Sequence, residues 1–294
     1  MPAEKIDQSP LQSGTNGIRC PADCSADIEY DFREALPDEL SKQAKALEAQ
    51  VTEKGNVLGE EHPDTLTLMA KLGSTYRSQG RWRKAEKLEL QVFKARKKVL
   101  GHEHPDTLLS MYHLAATFRD QGKYEKAEEL GWQLIETQKK VLGHEHPDTL
   151  TSMNNLAFTY RKQNRYKESE KLFIRVIEAR KKVLGPEHLE TLVGMQGLSL
   201  VYMSQKRDTE VEELVVQIVE TEKKVLGPEH SETLFTMCAL ALIYRGQGRW
   251  KEAEELRVEV VEGLKKILGP EHPYTLNCLA IIEKIWKFTK KSRV

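Results

Sequence analysis

Histidine is the side chain in this sequence best suited to metal binding or proton transfer, and nine occur in 294 residues. A zinc site needs three or four ligands at roughly 2 Å from one ion. Six of the histidines instead recur at a constant spacing, too far apart to converge: His62, His104, His146, His188, His230 and His272. We therefore expect each to cap a helix or pack at its start. We expect no metal site.

The cysteines and the search for known catalytic motifs in the sequence do not indicate catalysis either. Cys20 and Cys24 form a C-x-x-x-C pair with no second ligand pair nearby, so they do not predict zinc binding. Cys238 and Cys278 lie in or beside apolar stripes, where cysteine usually packs. The sequence contains no P-loop, dinucleotide-binding glycine motif, zinc-protease motif or serine-hydrolase elbow. We expect neither enzymatic activity nor a cofactor.

The composition and charge of the sequence argue against further classes of protein. The 45 Lys and Arg balance 45 Asp and Glu, so bulk charge predicts no nucleic-acid or membrane partner. The sequence has no apolar run of the roughly 18 residues that a membrane-spanning helix needs. Its start, MPAEKIDQSPLQSG, lacks the apolar core of a secretory signal, and its few cysteines suit a reducing compartment. These features indicate a cytoplasmic protein.

A period of 42 residues organises the chain. The string Val-Leu-Gly or Ile-Leu-Gly recurs at this spacing, starting at Val57, Val99, Val141, Val183, Val225 and Ile267. Five full units therefore occupy 57–266, and each contains two helical patterns, helix A and helix B. Neither helix can bury its apolar stripe alone, so successive units must stack on one another.

The first unit shows both patterns. Helix A begins at Pro63 and ends at Gly80, which supplies the left-handed residue of a tight turn. Its predicted buried stripe consists of Leu66, Met69, Leu72, Gly73 and Tyr76. The predicted stripe of helix B consists of Ala85, Leu88, Val92 and Val99.

Two strings of this unit carry a family resemblance: Leu72-Gly73-x-x-Tyr76 and Gly80-x-Trp82-x-x-Ala85. They resemble the tetratricopeptide repeat. The 42-residue period with its LGxxHP linker is similar to the longer subtype of kinesin light chains and of fungal and bacterial receptor-type NTPase arrays. The resemblance implies an all-α fold, a right-handed superhelical solenoid of tetratricopeptide helix pairs with about 12 helices.

The expected divisions follow the repeats. A solenoid is expected over residues 27–289, after a disordered N-terminal segment at 1–26 and before a basic tail at 290–294. Its expected parts are a cap at 36–56, the five units at 57–266 and a terminal helix at 267–289.

The fourth unit departs from the pattern of the others. Lys206 stands at the turn position that other units fill with Gly or Asn, and Asp208 replaces an aromatic residue. A left-handed non-glycine residue costs roughly 1 kcal/mol. We expect a looser turn at Gln205–Thr209.

In a solenoid of this family, helices A line the concave surface, which is where the resemblance implies a binding site. One position of helix A is cationic in most units: Arg77, Arg119, Arg161, Arg245 and Lys287. Guanidinium groups hold carboxylates in bidentate pairs, so this ladder suits an acidic, extended peptide. The paired amides Asn154 and Asn155 match the LNNLA motif of kinesin light chains. Four further candidate groove residues are Tyr112, His113, Phe158 and Gln196.

The resemblance implies a non-catalytic protein-interaction scaffold or adaptor with a protein or peptide partner. One alternative is a stand-alone sensing arm related to receptor-type NTPases. Another is a kinesin-light-chain-like cargo adaptor, although no upstream heptad segment precedes the cap. The arginine ladder has an alternative role as well, bracing the superhelix through glutamates of adjacent helices. The partner's identity and the oligomeric state stay open.

Overall fold

The computed structural model describes residues 37–271 together with 275 and 276, and the regular structure in that part is helical throughout. Eleven helices follow one another along it. Their bounds are α1 Pro37–Leu58, α2 Pro63–Ser78, α3 Trp82–Leu100, α4 Pro105–Asp120, α5 Tyr124–Val141, α6 Pro147–Lys162, α7 Tyr166–Val183, α8 Leu189–Ser204, α9 Asp208–Val225, α10 Ser231–Gly246 and α11 Trp250–Leu268. From α2 onward, even-numbered helices are helices A and odd-numbered helices are helices B.

Each helix packs on the next, from α1 on α2 through α10 on α11, and helices A also touch in the pairs α2–α4, α4–α6 and α6–α8. This arrangement confirms an all-α solenoid. The expected segment 1–26, the basic tail 290–294 and most of the expected terminal helix lie outside the described residues. The helix α1 lies where the cap is expected.

Histidine begins every helix A from α2 to α10. In α2 the His62 Nδ1 accepts a hydrogen bond of 3.2 Å from the N–H of Asp64, two residues on. His104, His146, His188 and His230 make the same bond. Each satisfies one of the N–H groups that a helix start leaves without an intrahelical partner. The capping role expected for these five histidines is therefore confirmed.

The predicted helix A stripe of the first unit is buried as expected. In α3, Ala85 and Val92 are buried and Leu88 is half-buried. Val99 contradicts the expectation, because it is 54% exposed. It lies in the last turn of α3, past Arg96, the last buried residue of that helix.

The turn of the fourth unit keeps the geometry of its counterparts. Lys206 has a φ of 60°, beside 61° for Asn164 and 70° for Gly80. The N–H of Lys206 donates to the carbonyl of Met203, and the next N–H closes the turn as in the other units. The expected looseness stays a prediction about dynamics.

A charged contact joins each unit to the next, and we call it the inter-unit clasp. Arg165 donates to both carboxylate oxygens of Glu128 in α5, at 2.8 and 2.9 Å. Its guanidinium lies 4.2 Å from the ring centroid of Tyr160, and Gln163 donates to the same Glu128. The equivalent pairs are Lys123–Glu86, Arg207–Glu170 and Arg249–Glu212.

Candidate functional site

The ten candidate residues all lie on helices A, as the spacing predicts. Seven are half-buried: Arg77, Tyr112, His113, Asn155, Phe158, Arg161 and Arg245. Three are buried: Arg119, Asn154 and Gln196. Contacts between α2 and α4, α4 and α6, and α6 and α8 lie along the same surface.

Arg119 bridges two units. Its side chain is 8% exposed, and its Nη1 donates to Asn155 Oδ1 at 3.3 Å. Its Nη2 and Nε donate to Asp120 Oδ1 at 3.2 and 3.3 Å. Arg119 therefore ties α4 to α6, and one amide of the predicted Asn pair is engaged in that tie.

Phe158 belongs to the packing between α6, α7 and α8. Its ring meets Phe173 edge to face, with 5.0 Å between centroids. Gly197 permits this close approach, because a Cβ there would overlap the Phe173 ring. Phe158 thus contributes to the core beneath the groove.

Sequence reasoning missed a buried polar position in helices B. Successive units carry Arg96, Gln138, Arg180 and Glu222 there, each at most 5% exposed. Each lies four positions after a buried aliphatic residue, as Arg96 does after Val92, and therefore on the same helix face. That four-residue spacing is the sequence signal from which the burial of these polar residues could have been predicted.

Arg180 links two helices A from below the groove. Its Nη1 donates to the carbonyl of Glu190 in α8 at 2.6 Å. Its Nη2 donates to the Glu190 carboxylate at 2.6 Å and to Thr151 Oγ1 in α6 at 3.0 Å. Arg96 makes contacts of the same kind between α2 and α4.

Glu222 occupies the same position in the fourth unit, where an acidic side chain replaces the basic Arg96 and Arg180 of the first and third units. Its Oε1 accepts a hydrogen bond of 3.1 Å from Gln196, one of the candidate groove residues. Burial raises the pKa of Glu222 to about 7, and the nearby Glu232 acts in the same direction. The groove floor therefore differs between units: Arg96, Gln138 and Arg180 lie in the first three, and the fourth has a carboxyl with a pKa of about 7.

Several ionisable side chains interact at the N-terminal end of the groove. Burial, followed by the charges of Arg77 and Arg96, lowers the pKa of His113 to about 4. The imidazole is therefore neutral at pH 7. Burial also raises the pKa of Glu89 to about 7, against the opposing effect of Arg77. Glu89 therefore carries only part of a charge at pH 7, and the carboxylates of Asp120, near Glu89, and Asp106, near Arg96, also contribute charge at this end of the groove.

Among the described residues, no group of three or more His, Cys, Asp or Glu side chains is placed to hold a metal ion. None of the described helices combines the length and the apolar character needed to cross a membrane.

Comparison with known families gives two models, both described as tetratricopeptide repeat. One matches residues 65–106, 107–148 and 149–190, and the other matches 197–265. A comparison with curated proteins gives no match.

Solved structures share the fold. A Podosopora anserina protein, assigned as a kinesin light chain with nearly identical TPR-like repeats, is 32% identical, with a TM-score of 0.57. The match covers 70% of this chain and 97% of that one. BtubC (BKLC) from P. vanneervenii is 16% identical over 78% of this chain and 92% of its own, with a TM-score of 0.63. NprR in complex with its cognate peptide NprX is 14% identical over 85% and 69%, with a TM-score of 0.59.

The matched units have the same period as the helix pairs of the structure. The Podosopora anserina protein aligns over nearly its whole length, so the resemblance extends beyond single repeats. The chain belongs to the tetratricopeptide repeat family, in its kinesin-light-chain-like form.

Proposed function

We propose that this chain is a non-catalytic interaction scaffold whose concave groove, lined by α2, α4, α6, α8 and α10, binds an extended acidic peptide. The observation that carries the proposal is the arginine ladder, since Arg77, Arg161 and Arg245 lie half-buried at equivalent positions of helices A. Near pH 7 His113 is neutral and Glu89 is partly protonated, so Glu89 offsets only part of the charge of Arg77. A carboxylate there gains charge-assisted hydrogen bonds.

The members of the arginine ladder have different roles in this proposal. Arg119 braces α4 against α6 through Asn155, so it serves the shape of the groove. Arg77, Arg161 and Arg245 are half-buried and meet the ligand. Met203 interrupts the ladder in the fourth unit, where the groove floor carries Glu222 in place of Arg96, Gln138 or Arg180. The acidic part of the peptide therefore lies on the first three units.

The relatives support a peptide as the ligand class. NprR has the same kind of solenoid, and its structure holds a cognate peptide. The sensing-arm and cargo-adaptor alternatives place the same peptide-binding step in different assemblies. One binding experiment therefore tests the step that all three share.

The test is fluorescence polarisation with labelled twelve-residue peptides, one set rich in Asp and Glu and a scrambled-charge set rich in Lys. We expect acidic peptides to bind and the double variant Arg77→Gln/Arg161→Gln to weaken them about tenfold or more. Binding should also weaken with added salt, because exposed charges are screened over about 10 Å at 0.1 M.

The matched control is Lys98→Gln/Lys182→Gln, which removes two positive charges from exposed ion pairs at the ends of α3 and α7. It should leave peptide affinity unchanged. Equal affinity for acidic and basic peptides, or equal losses in both double variants, would contradict the proposal.

A further inference from the structure

One exposed face of α3, in the first unit, carries only positive charges. Arg83, Lys87 and Lys94 are all exposed. Their spacings of four and seven residues place them on the same face of the helix. In the part of the chain that the structure describes, no acidic side chain forms an ion pair with any of the three. We call these three residues the cationic stripe.

The acidic groups near α3 have other partners. Glu86 forms an ion pair of 2.7 Å with Lys123 of the next unit, and Glu89 is buried. Glu60, in the linker before α2, accepts a hydrogen bond of 3.3 Å from Gln91. None of these contacts involves the cationic stripe.

The repeat shows that two lysines of this stripe distinguish the first unit. The positions of Lys87 and Lys94 recur every 42 residues along the chain. The second, fourth and fifth units have glutamate at both positions, and the third has Lys171 and Glu178. Stacking of the units therefore does not require lysine at these two positions.

In α9, of the fourth unit, the same two positions are acidic. Glu213 and Glu220 are both exposed, and no basic side chain among the described residues forms an ion pair with either. In α5 and α11 one of the two equivalent glutamates is engaged, because Glu136 and Glu255 each pair with a lysine of the same helix. We call Glu213 and Glu220 the acidic stripe, since both of its carboxylates are available to a partner.

The two stripes match in spacing as well as in charge. In each, the paired positions are seven residues apart, or about 10 Å along the helix. A half-buried apolar residue lies between them, Leu90 in α3 and Val216 in α9. Lysines and glutamates can therefore pair whether the two helices run parallel or antiparallel. Within one chain the stripes do not meet, because α5 and α7 lie between α3 and α9.

We propose that the chain associates with itself head to tail, with the cationic stripe of one copy against the acidic stripe of a second copy. Such a contact leaves one stripe of each kind free at the two ends, so further copies can add. Exposed ion pairs are individually weak, so we expect association at chain concentrations of roughly 100 µM. The contact uses helices B and does not depend on the proposed peptide binding.

The test is sedimentation velocity of the full chain over a range of concentrations. In about 50 mM salt the mean sedimentation coefficient should rise with concentration, and in about 500 mM salt the rise should disappear through screening. The variants Lys87→Glu/Lys94→Glu and Glu213→Lys/Glu220→Lys should each raise the dissociation constant about tenfold or more at low salt. Circular dichroism checks that both variants keep their helices.

Exchange of the charges distinguishes a specific contact from a general effect of charge. A chain with all four substitutions carries the two stripes in exchanged positions and should associate like the wild type. An equimolar mixture of the two double variants should associate as well, because each variant supplies the stripe that the other lacks. The matched control is Lys167→Glu/Lys171→Glu on the exposed face of α7, which should leave association unchanged.

Three results would overturn the proposal. The first is a wild-type sedimentation coefficient that does not change with concentration at low salt. The second is an effect of the α3 variant without an effect of the α9 variant, which would indicate that another anionic molecule binds the cationic stripe. The third is failure of the fourfold variant to recover association, or an equal loss in the α7 control.

Discussion

Arg165 and Glu128 are joined across the boundary between the second and third units by hydrogen bonds of 2.8 and 2.9 Å, although they are 37 residues apart. The same separation recurs in every inter-unit clasp. Burial raises the pKa of Glu128, but hydrogen bonds from Arg165 and Gln163 outweigh this effect, so the net shift is downward. The inter-unit clasp is therefore an ion pair that recurs at each junction, in addition to the apolar packing between units.

The first prediction concerns the strength of this tie. A double-mutant cycle of Glu128→Ala and Arg165→Ala should give a coupling free energy of about 0.5–1 kcal/mol in urea unfolding. The value is modest because Arg165 is more than a third exposed, so water screens the pair. The control cycle uses Glu145 and Lys182, an ion pair at 52% and 70% exposure. A coupling in the control as large as that of the clasp would contradict the prediction.

The second prediction concerns Arg180, which is 1% exposed and bonds to α6 and α8 at once. Arg180→Ala should lower the free energy of unfolding by about 2–4 kcal/mol, because it leaves a cavity and removes both ties. Arg180→Lys should recover little, since an ammonium cannot reproduce the planar fork of a guanidinium. Urea unfolding followed by circular dichroism measures both variants. Full recovery by lysine would show that charge alone is required.

The third prediction concerns pH. Burial raises the pKa of Glu222 to about 7, whereas an unfolded glutamate titrates near 4.5. The folded chain therefore binds this proton more tightly, and stability falls as pH rises from about 5 to above 7. The loss amounts to roughly 3 kcal/mol, from about 1.4 kcal/mol per pKa unit. Glu222→Gln should remove it, so unfolding at pH 5 and pH 8 should differ less than in the wild type.

The control for this pH experiment is Glu128→Gln. The pKa of Glu128 is lowered in the folded chain, so its contribution is present at pH 8 and is lost as pH falls through that lowered pKa. Its replacement should therefore reduce stability at pH 8. Equal pH profiles for the two variants would reject the assignment.

The fourth prediction concerns the turn of the fourth unit. Lys206 adopts a φ of 60°, which glycine adopts without steric cost. Lys206→Gly should stabilise the chain by up to about 1 kcal/mol, measured by urea unfolding. Gly122→Lys makes the opposite change at the equivalent turn and should destabilise by a similar amount. Hydrogen exchange should also be faster at Gln205–Thr209 than at that turn in the wild type, and equal protection would contradict this expectation.

The helices could be predicted from the sequence because each boundary has a local chemical cause. His62 with Pro63 starts α2 and Gly80 follows its end, and the same signals recur in each unit with few changes. The five described histidine caps show that a local hydrogen bond can be expected from residue type and position alone.

The candidate site was less predictable because it depends on contacts between units. A single-helix pattern places Arg119 on the groove, but its burial arises from Asn155 in the next helix A. Phe158 is drawn into the core because Gly197 lacks a side chain there. Arg96 and Arg180 continue apolar stripes, and only the partners on two neighbouring helices make burial of a charge tolerable.

The constant separation in the inter-unit clasp has a consequence for chain length. Excision of residues 129–170 would place Glu128 where Glu170 stood, next to Arg207 of the following unit. In the shortened chain, Glu128 would form the ion pair with Arg207 that Glu170 forms in the full chain. Deletion or duplication of one whole 42-residue period therefore leaves an inter-unit clasp at every junction. Arrays with different numbers of units can arise in this way without loss of that contact.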